Sequence, residues 1–373
     1  RCDEQKLLKV ILFAFMEHGI CSLRGMEKSC RNDIRYMYLL DGMQAPSFAT
    51  FGNIIRKQLT DSIEQIFMDI NAYIFEKDHV DLEHTYIDGT KIEANANRYT
   101  WVWKKSCTKN REKVYHKISL LIDAMNQEVL GYLGVKLEKR EAYAIDYVSE
   151  LLEMYRKGTN LDESTFVSGC GHRKSIQQKQ YQQMQGYLER LKTYARHMEI
   201  CGDERNSYSK TDHDATFMRL KRDYMGNGQL LPAYNLQAAV CDEYIAAVDV
   251  KPYASDMECF VPLMEKYHRI YGHYPKYPVA DAGYGSYNNY LYCEEHGMEK
   301  YMKFAMFKKE ATDKGYHKNP YRAVNFKRDE SGKPVCPHGK AFHFKRKQHV
   351  YKNTYGRTEE IYECESCEGK DEP

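Results

Sequence analysis

The stretch HTYIDGTKIEANANRYTWVWKKS, residues 84–106, decides how the rest of the chain is read. Residues 83–93 read as a strand: Tyr86, Ile87, Thr90 and Ile92 favour extended backbone, and Gly89 permits a bend or bulge. An aspartate, Asp88, stands inside this run. The second half turns basic and carries both tryptophans of the chain, Trp101 and Trp103.

Downstream, the apolar period changes from helical to alternating. REKVYHKISLLIDAMNQEV places Val114, Ile118, Leu121 and Ile122 at helical spacing, and two further helices follow up to about residue 200, the second ending near Gly158 and the third long and polar. After residue 230, AYNLQAAV and EYIAAVDVKPY read as a strand pair turning at Cys241-Asp242. An amphipathic helix follows with Ser255 as its expected N-cap, then a short strand ending in Asp281, a helix stopped by Gly297, and a last strand, MEKYMKF. Upstream, residues 5–75 read as three or more helices: one stopped by Gly19, one opened by Ser22, and one starting at the Pro-Ser turn at 46–47. Their interspersed Arg and Lys suggest a helix-turn-helix-like bundle, with a helical cap bearing a solvated basic face as the other reading. The order is therefore helices, strand, long helical insertion, two strands, helix, strand, helix, strand. That order predicts an α+β (α/β) protein built on an RNase H-like mixed sheet. The expected domains are a helical N-terminal one (1–78), a core (79–310) interrupted by the insertion at about 98–230, and a small Cys-rich C-terminal segment (311–373).

In this layout Asp88 and Asp281 fall at or near the ends of two strands able to be neighbours. Two carboxylates meeting there suit a hard divalent cation such as Mg²⁺, which serves phosphodiester chemistry. Strand-end aspartates also serve as plain turn or cap residues, and spacing does not decide between the two. Arg98, Lys104, Lys105, Lys109, Arg111, Lys113 and Lys117, interleaved with Tyr99, Trp101 and Trp103, suit phosphates and exposed bases. The alternation Thr100-Trp101-Val102-Trp103 puts both indoles on one side of an extended segment, which also suits ordinary packing. Asp212, His213 and Asp214 are adjacent and cannot all point one way, so a turn-forming or supporting role is expected; Gly226-Asn227-Gly228 marks a tight turn. At the far end Cys336, His338, Cys364 and Cys367 form a C-x-H and C-x₂-C set resembling a zinc ribbon, whereas Cys170 and His172 have no second pair nearby.

The 373 residues suffice for two or three domains, and a net charge of +2 leaves any nucleic-acid argument to local patches. No apolar run reaches the roughly 18 residues of a membrane helix, and no signal peptide is visible. The 12 cysteines are scattered, which fits reduced thiols better than a disulfide framework.

Three long motifs carry a family resemblance: YIDGTKIEANANRYTWVWKKS, ERNSYSKTDHDATFMRLKRDYMGNGQLLPAYNLQAAV, and VADAGYGSYNNYLYCEEHG. In this order they resemble bacterial insertion-sequence transposases of the DDE superfamily, and the helical start RCDEQKLLKVILFAFMEHGICSLRGMEKSCRND is similar to their N-terminal domain. The resemblance implies an RNase H-like core, Mg²⁺ or Mn²⁺ dependence, terminal inverted-repeat and target DNA as partners, DNA cleavage and strand transfer, action as an oligomer, and a place in the bacterial cytoplasm at the nucleoid. It carries the first catalytic aspartate onto Asp88 and the second onto Asp281. The family's third acid, a Glu in an EGxFG-like pattern, has no counterpart before Pro373, and the chain begins at Arg1. The expectation is a fragment or degenerate copy with an under-ligated metal pair and little or no cleavage by itself. A non-catalytic DNA-binding remnant is the alternative.

Overall fold

The structure is a computed structural model; it describes residues 3–19, 21–169, 173–203, 205–221, 226–350 and 357–364. The chain divides into two compact units, Arg1–Asp81 and Leu82–Pro373.

The first unit is helical. α1 (Glu4–His18) opens where the Asp3 carboxylate accepts from the Gln5 and Lys6 amides, and closes at Gly19, whose φ of 64° lets its N–H return to the Phe15 carbonyl. Residues 23–40 read in sequence as one helix, yet they form two, α2 (Leu23–Asn32) and α3 (Ile34–Leu40). Asp33 is the cause. Its backbone leaves the helical region and its carboxylate caps the next helix through the Arg35 amide at 2.9 Å. Ser47 caps α4 (Phe48–Asn53), which runs through a π-helical stretch, Ile54–Gln58, into α5 (Leu59–Asp78). Leu7, Val10, Ile11, Ala14, Met26, Tyr36, Leu40 and Phe51 make the core of this unit.

The second unit begins with β1 (His84–Glu93). The chain then leaves the sheet for β2 (Trp101–Trp103), α6 (Lys104–Glu128), α7 (Ile145–Gly158), α8 (Ile176–Cys201), β3 (Ser207–Ser209) and β4 (Thr216–Met218), and re-enters it with β5 (Leu231–Cys241). The base of this excursion is closed by the Ala94 amide donating to the Pro232 carbonyl at 2.8 Å. The helical spacing of Val114, Ile118, Leu121 and Ile122 is borne out: all four are buried against Val148, Leu151, Tyr155, Met184 and Leu188 of the neighbouring helices. β3 and β4, three residues each, were not legible, being shorter than the period that would reveal them; β2, the extended segment read around the tryptophans, pairs antiparallel with β3.

β5 turns into β6 (Tyr244–Lys251) through Asp242 and Glu243, both at positive φ, as a two-residue hairpin requires. A 3₁₀ turn at Asp256–Glu258 precedes α9 (Phe260–Tyr271), and Ser255 makes no side-chain cap, contrary to expectation. β7 (Tyr277–Ala280), α10 (Tyr287–Glu295) and β8 (Tyr301–Met302) complete the core. The sheet order is β6-β5-β1-β7-β8, with β4 beside the start of β5. β1 is antiparallel to β5 and parallel to β7, and β8 is parallel to β7. This is the RNase H-like arrangement expected from the element order. α9 covers one face, where Phe260, Leu263, Met264 and Tyr267 are buried.

Beyond the sheet lie two short helices, α11 (Phe307–Thr312) and α12 (Lys314–Lys318), and two ribbons: β9 (Lys327–Arg328) with β10 (Pro334–Val335), and β11 (Phe342–Val350) with β12 (Arg357–Cys364). Among the described residues no helix is long and apolar enough to cross a membrane.

Candidate catalytic site and nucleic-acid interface

Residues alternate between the two faces of a strand. On β1, Thr85 and Ile87 are buried, while His84, Tyr86, Asp88 and Thr90 face outward. On β7 the parallel register pairs Tyr86 with Val279 and Ile87 with Ala280. Asp88 is the next residue of β1 and Asp281 the first residue after β7, so the register sets them at neighbouring positions. Both line one cleft of about 510 Å³ with Tyr86, Ala238, Val240 and Val279. Asp88 Oδ1 accepts from the Gly89 amide at 2.8 Å, and Asp281 Oδ1 accepts from the Gly283 amide at 2.7 Å. These local bonds hold one oxygen of each carboxylate, and the other has no hydrogen-bond partner among the described residues. A Cβ on Gly283 would sit 2.8 Å from Asp281 Oδ1 and 3.6 Å from Asp256 Oδ2, so an alanine there would push the Asp281 carboxylate from its place. Two oriented carboxylates with free oxygens are a donor set that fits a hard divalent cation. Among the described residues no group of three or more His, Cys, Asp or Glu gathers in metal-holding geometry.

Beneath the same end of the sheet lies a buried polar group that sequence reading missed. Gln237 and Asn235 of β5 point to the helix-covered face and are fully buried. The Gln237 amide donates to Asn235 Oδ1 at 2.8 Å, and Asn235 Nδ2 donates to Asp256 Oδ1 at 2.7 Å. The Tyr284 hydroxyl, from the loop after Asp281, donates to Gln237 Oε1. Burial first, then the charges of Asp256, Asp88 and Asp281, push the Tyr284 phenol up, so it stays a protonated donor. The available signal was two polar letters, Asn235 and Gln237, on the same face as Ala233 and Ala239 of a buried strand. Lys221, also not singled out, donates to the carbonyl of Gly89, the residue after Asp88, at 3.2 Å.

The basic segment separates into engaged and free cations. Arg98 pairs with Glu93 at 2.7 Å, Lys104 bonds the Gly202 carbonyl, and Arg111 is half-buried against Met198 and Tyr115. Trp101 and Trp103 do lie on one side of β2, with ring centroids 6.3 Å apart, and Trp101 packs edge-on against Phe217 at 5.0 Å. Packing therefore accounts for much of both indoles, although Trp101 keeps 44% of its surface exposed. Lys105 and Lys109 are exposed on α6, with Lys113 and Lys117 continuing the same four-residue spacing, and none of the four has an ion-pair partner among the described residues.

Asp212 takes the structural role expected of it: its carboxylate accepts from the Tyr234 hydroxyl at 2.8 Å and from the Asp214 amide at 3.2 Å. Cys336 lies in a tight turn where its Sγ accepts from the Lys340 amide at 3.4 Å, and His338 meets the Tyr321 hydroxyl at 3.2 Å. Cys364 ends β12, and Cys367 lies outside the described residues, as do Cys170 and His172.

Residues 205–358 match the family described as the transposase DDE domain. The chain carries a DDE transposase domain. The matched stretch holds Asp281 and the buried group around Gln237, while Asp88 lies before it. Transposases of this kind act on DNA and generally use divalent metals. No curated protein and no solved structure matches the chain.

Proposed function

We propose that this protein is the transposase of an insertion sequence, working as an oligomer on the terminal inverted repeats of its element and on target DNA. Asp88 and Asp281 are the catalytic carboxylates in this reading, and they hold Mg²⁺ or Mn²⁺. The observation that carries it is the register: Asp88 follows Ile87 on β1, Asp281 directly follows its parallel partner Ala280 at the end of β7, and the two aspartates line one cleft. A divalent ion held there supplies the Lewis-acid charge that cleavage and strand transfer of a phosphodiester require. The chain's own contribution is to orient both carboxylates through the Gly89 and Gly283 amides, with Lys221 bonded to the carbonyl of the residue after Asp88.

The DNA interface in this reading runs along α6. Lys105, Lys109, Lys113 and Lys117 climb the helix in steps of about 6 Å, a ridge of ammonium groups facing solvent. Such groups neutralise phosphates without reading sequence. The helical unit, residues 1–78 in the proposed division, is the further DNA-binding candidate.

A second reading, a DNA-binding protein without strand-cleaving activity, is favoured by the lack of a three-ligand cluster among the described residues. One experiment separates the two. A duplex bearing the flanking inverted repeats is incubated with the protein and Mg²⁺ or Mn²⁺. Cleavage that vanishes in Asp88→Asn and Asp281→Asn supports the transposase reading. Salt-sensitive binding with no nicking supports the second, and absence of binding overturns both.

A further inference from the structure

The strand order places β1 between β5 and β7. A link from the loop after β7 to a side chain on β5 must therefore cross β1. The Tyr284 hydroxyl makes that crossing to Gln237, and the crossing point is Gly89, directly opposite Gln237 in the register and next to Asp88. A Cβ on Gly89 would lie 2.4 Å from Gln237 Nε2, so the absence of a side chain there opens the passage. Gln237 is held in turn through Asn235 to Asp256. At the other end, Asn289 of α10 donates to the Tyr284 carbonyl at 2.7 Å and to the Met257 carbonyl at 3.0 Å. Gly285 lets the loop lie against the backbone just after β8, because a Cβ there would clash with the Lys303 carbonyl. The loop that carries Asp281 is thus tied at three points, and one tie runs under the strand that carries Asp88.

We propose that Tyr284 and Gln237 are positioning residues that fix the Asp281 carboxylate in register with Asp88. Neither lines the cleft; they act through the loop. The inference rests on the reading that Asp88 and Asp281 share a divalent ion, because position matters only if both must reach one ligand. A supporting group behind a metal ligand is worth about 10- to 100-fold in metal affinity.

The test is calorimetric titration of Mn²⁺ into the full chain, alongside thermal melting in chelator. Asp281→Asn is expected to abolish binding. Tyr284→Phe keeps the ring and removes the tie, and is expected to raise the Mn²⁺ Kd by about tenfold or more. Tyr290→Phe is the matched control, since the Tyr290 hydroxyl is buried in the same region with no hydrogen-bond partner; it is expected to leave the Kd unchanged. Should Tyr284→Phe not yield folded protein, Gln237→Met, which keeps the chain length and removes the acceptor, is read by the same criteria. If the parent binds Mn²⁺ and Asp281→Asn does not, but Tyr284→Phe binds as the parent does, the positioning role is overturned and the shared ion stands. The same holds if Tyr284→Phe weakens binding only as much as Tyr290→Phe. If the parent binds no Mn²⁺, the shared ion is overturned and the positioning role falls with it.

Discussion

Gly285 and Gly186 show how one residue type takes opposite roles. Gly285 is pressed against backbone, with the Lys303 carbonyl and the Tyr290 hydroxyl where a side chain would begin. Gly285→Ala is expected to destabilise the second unit by about 1–3 kcal/mol, the cost of forcing volume into a packed site. Gly186 lies on the exposed side of α8 with nothing within 4 Å of a Cβ position. Gly186→Ala is expected to stabilise by about 0.5–1 kcal/mol, through the lower backbone entropy of the unfolded chain. Urea denaturation of the two variants checks both signs, and equal midpoints would refute the argument. Sequence alone offers no way to tell these glycines apart, because the neighbour that decides the matter belongs to a distant segment. The same holds for the cleft. Asp281 was legible as a strand-end acid and does follow the last residue of β7, whereas Asp88, expected at or near a strand end, sits in the middle of β1; the register that brings the two together is a property of the paired strands. Asn235 and Gln237 were passed over because a polar residue in a strand is ordinarily read as facing water. Arg98, Lys104 and Arg111 were counted as ligand-facing cations, although each has a partner within the fold.

At the scale of elements, the periods of 3.6 and 2 carried far: α6, α7, β5 and β6 lie where the apolar spacing put them, and α8 is the long polar helix expected there. Where a polar residue works locally against the pattern, as Asp33 does between α2 and α3, the apolar stripe continues on both sides and conceals the break. The contact of α8 with β3 offers a titration test. His197 of α8 meets the Tyr208 hydroxyl at 2.6 Å. Burial first, then the charges of Lys210, Arg196 and His213, hold its imidazole below the ordinary value. The folded state thus takes up a proton at lower pH than the unfolded state. Stability is complete above the ordinary imidazole range and declines as pH falls through it toward the lowered value. Melting temperatures between pH 8 and about 5.5 should fall in the parent and fall less in His197→Gln. A parent with a flat profile would exclude His197 as a contributor.

For the whole molecule the relevant quantity is charge layout. A net charge of +2 offers no general attraction for DNA, so binding in the proposed reading depends on the α6 ridge. Each phosphate neutralised contributes about 0.9 to the slope of log affinity against log salt. Replacing Lys105, Lys109, Lys113 and Lys117 together by Gln should lower that slope by about 3–4 units and weaken binding to all duplexes alike. An unchanged slope would move the interface elsewhere. Charge counting in the sequence could not make this division, since it takes the fold to show which cations are already engaged.

The central position of β1 bears on how the chain is made. Ribosomes deliver β1 early, yet both strands that flank it, β5 and β7, emerge only after the whole excursion has been synthesised. Until then its two hydrogen-bonding edges have no partner strand, whereas α6, α7 and α8, which pack on one another, lie close in sequence and need only local contacts. A nascent chain in this state presents an open strand to its neighbours on a polysome, which makes the growing polypeptide a natural client of chaperones and makes slow translation after residue 93 a hazard for its yield.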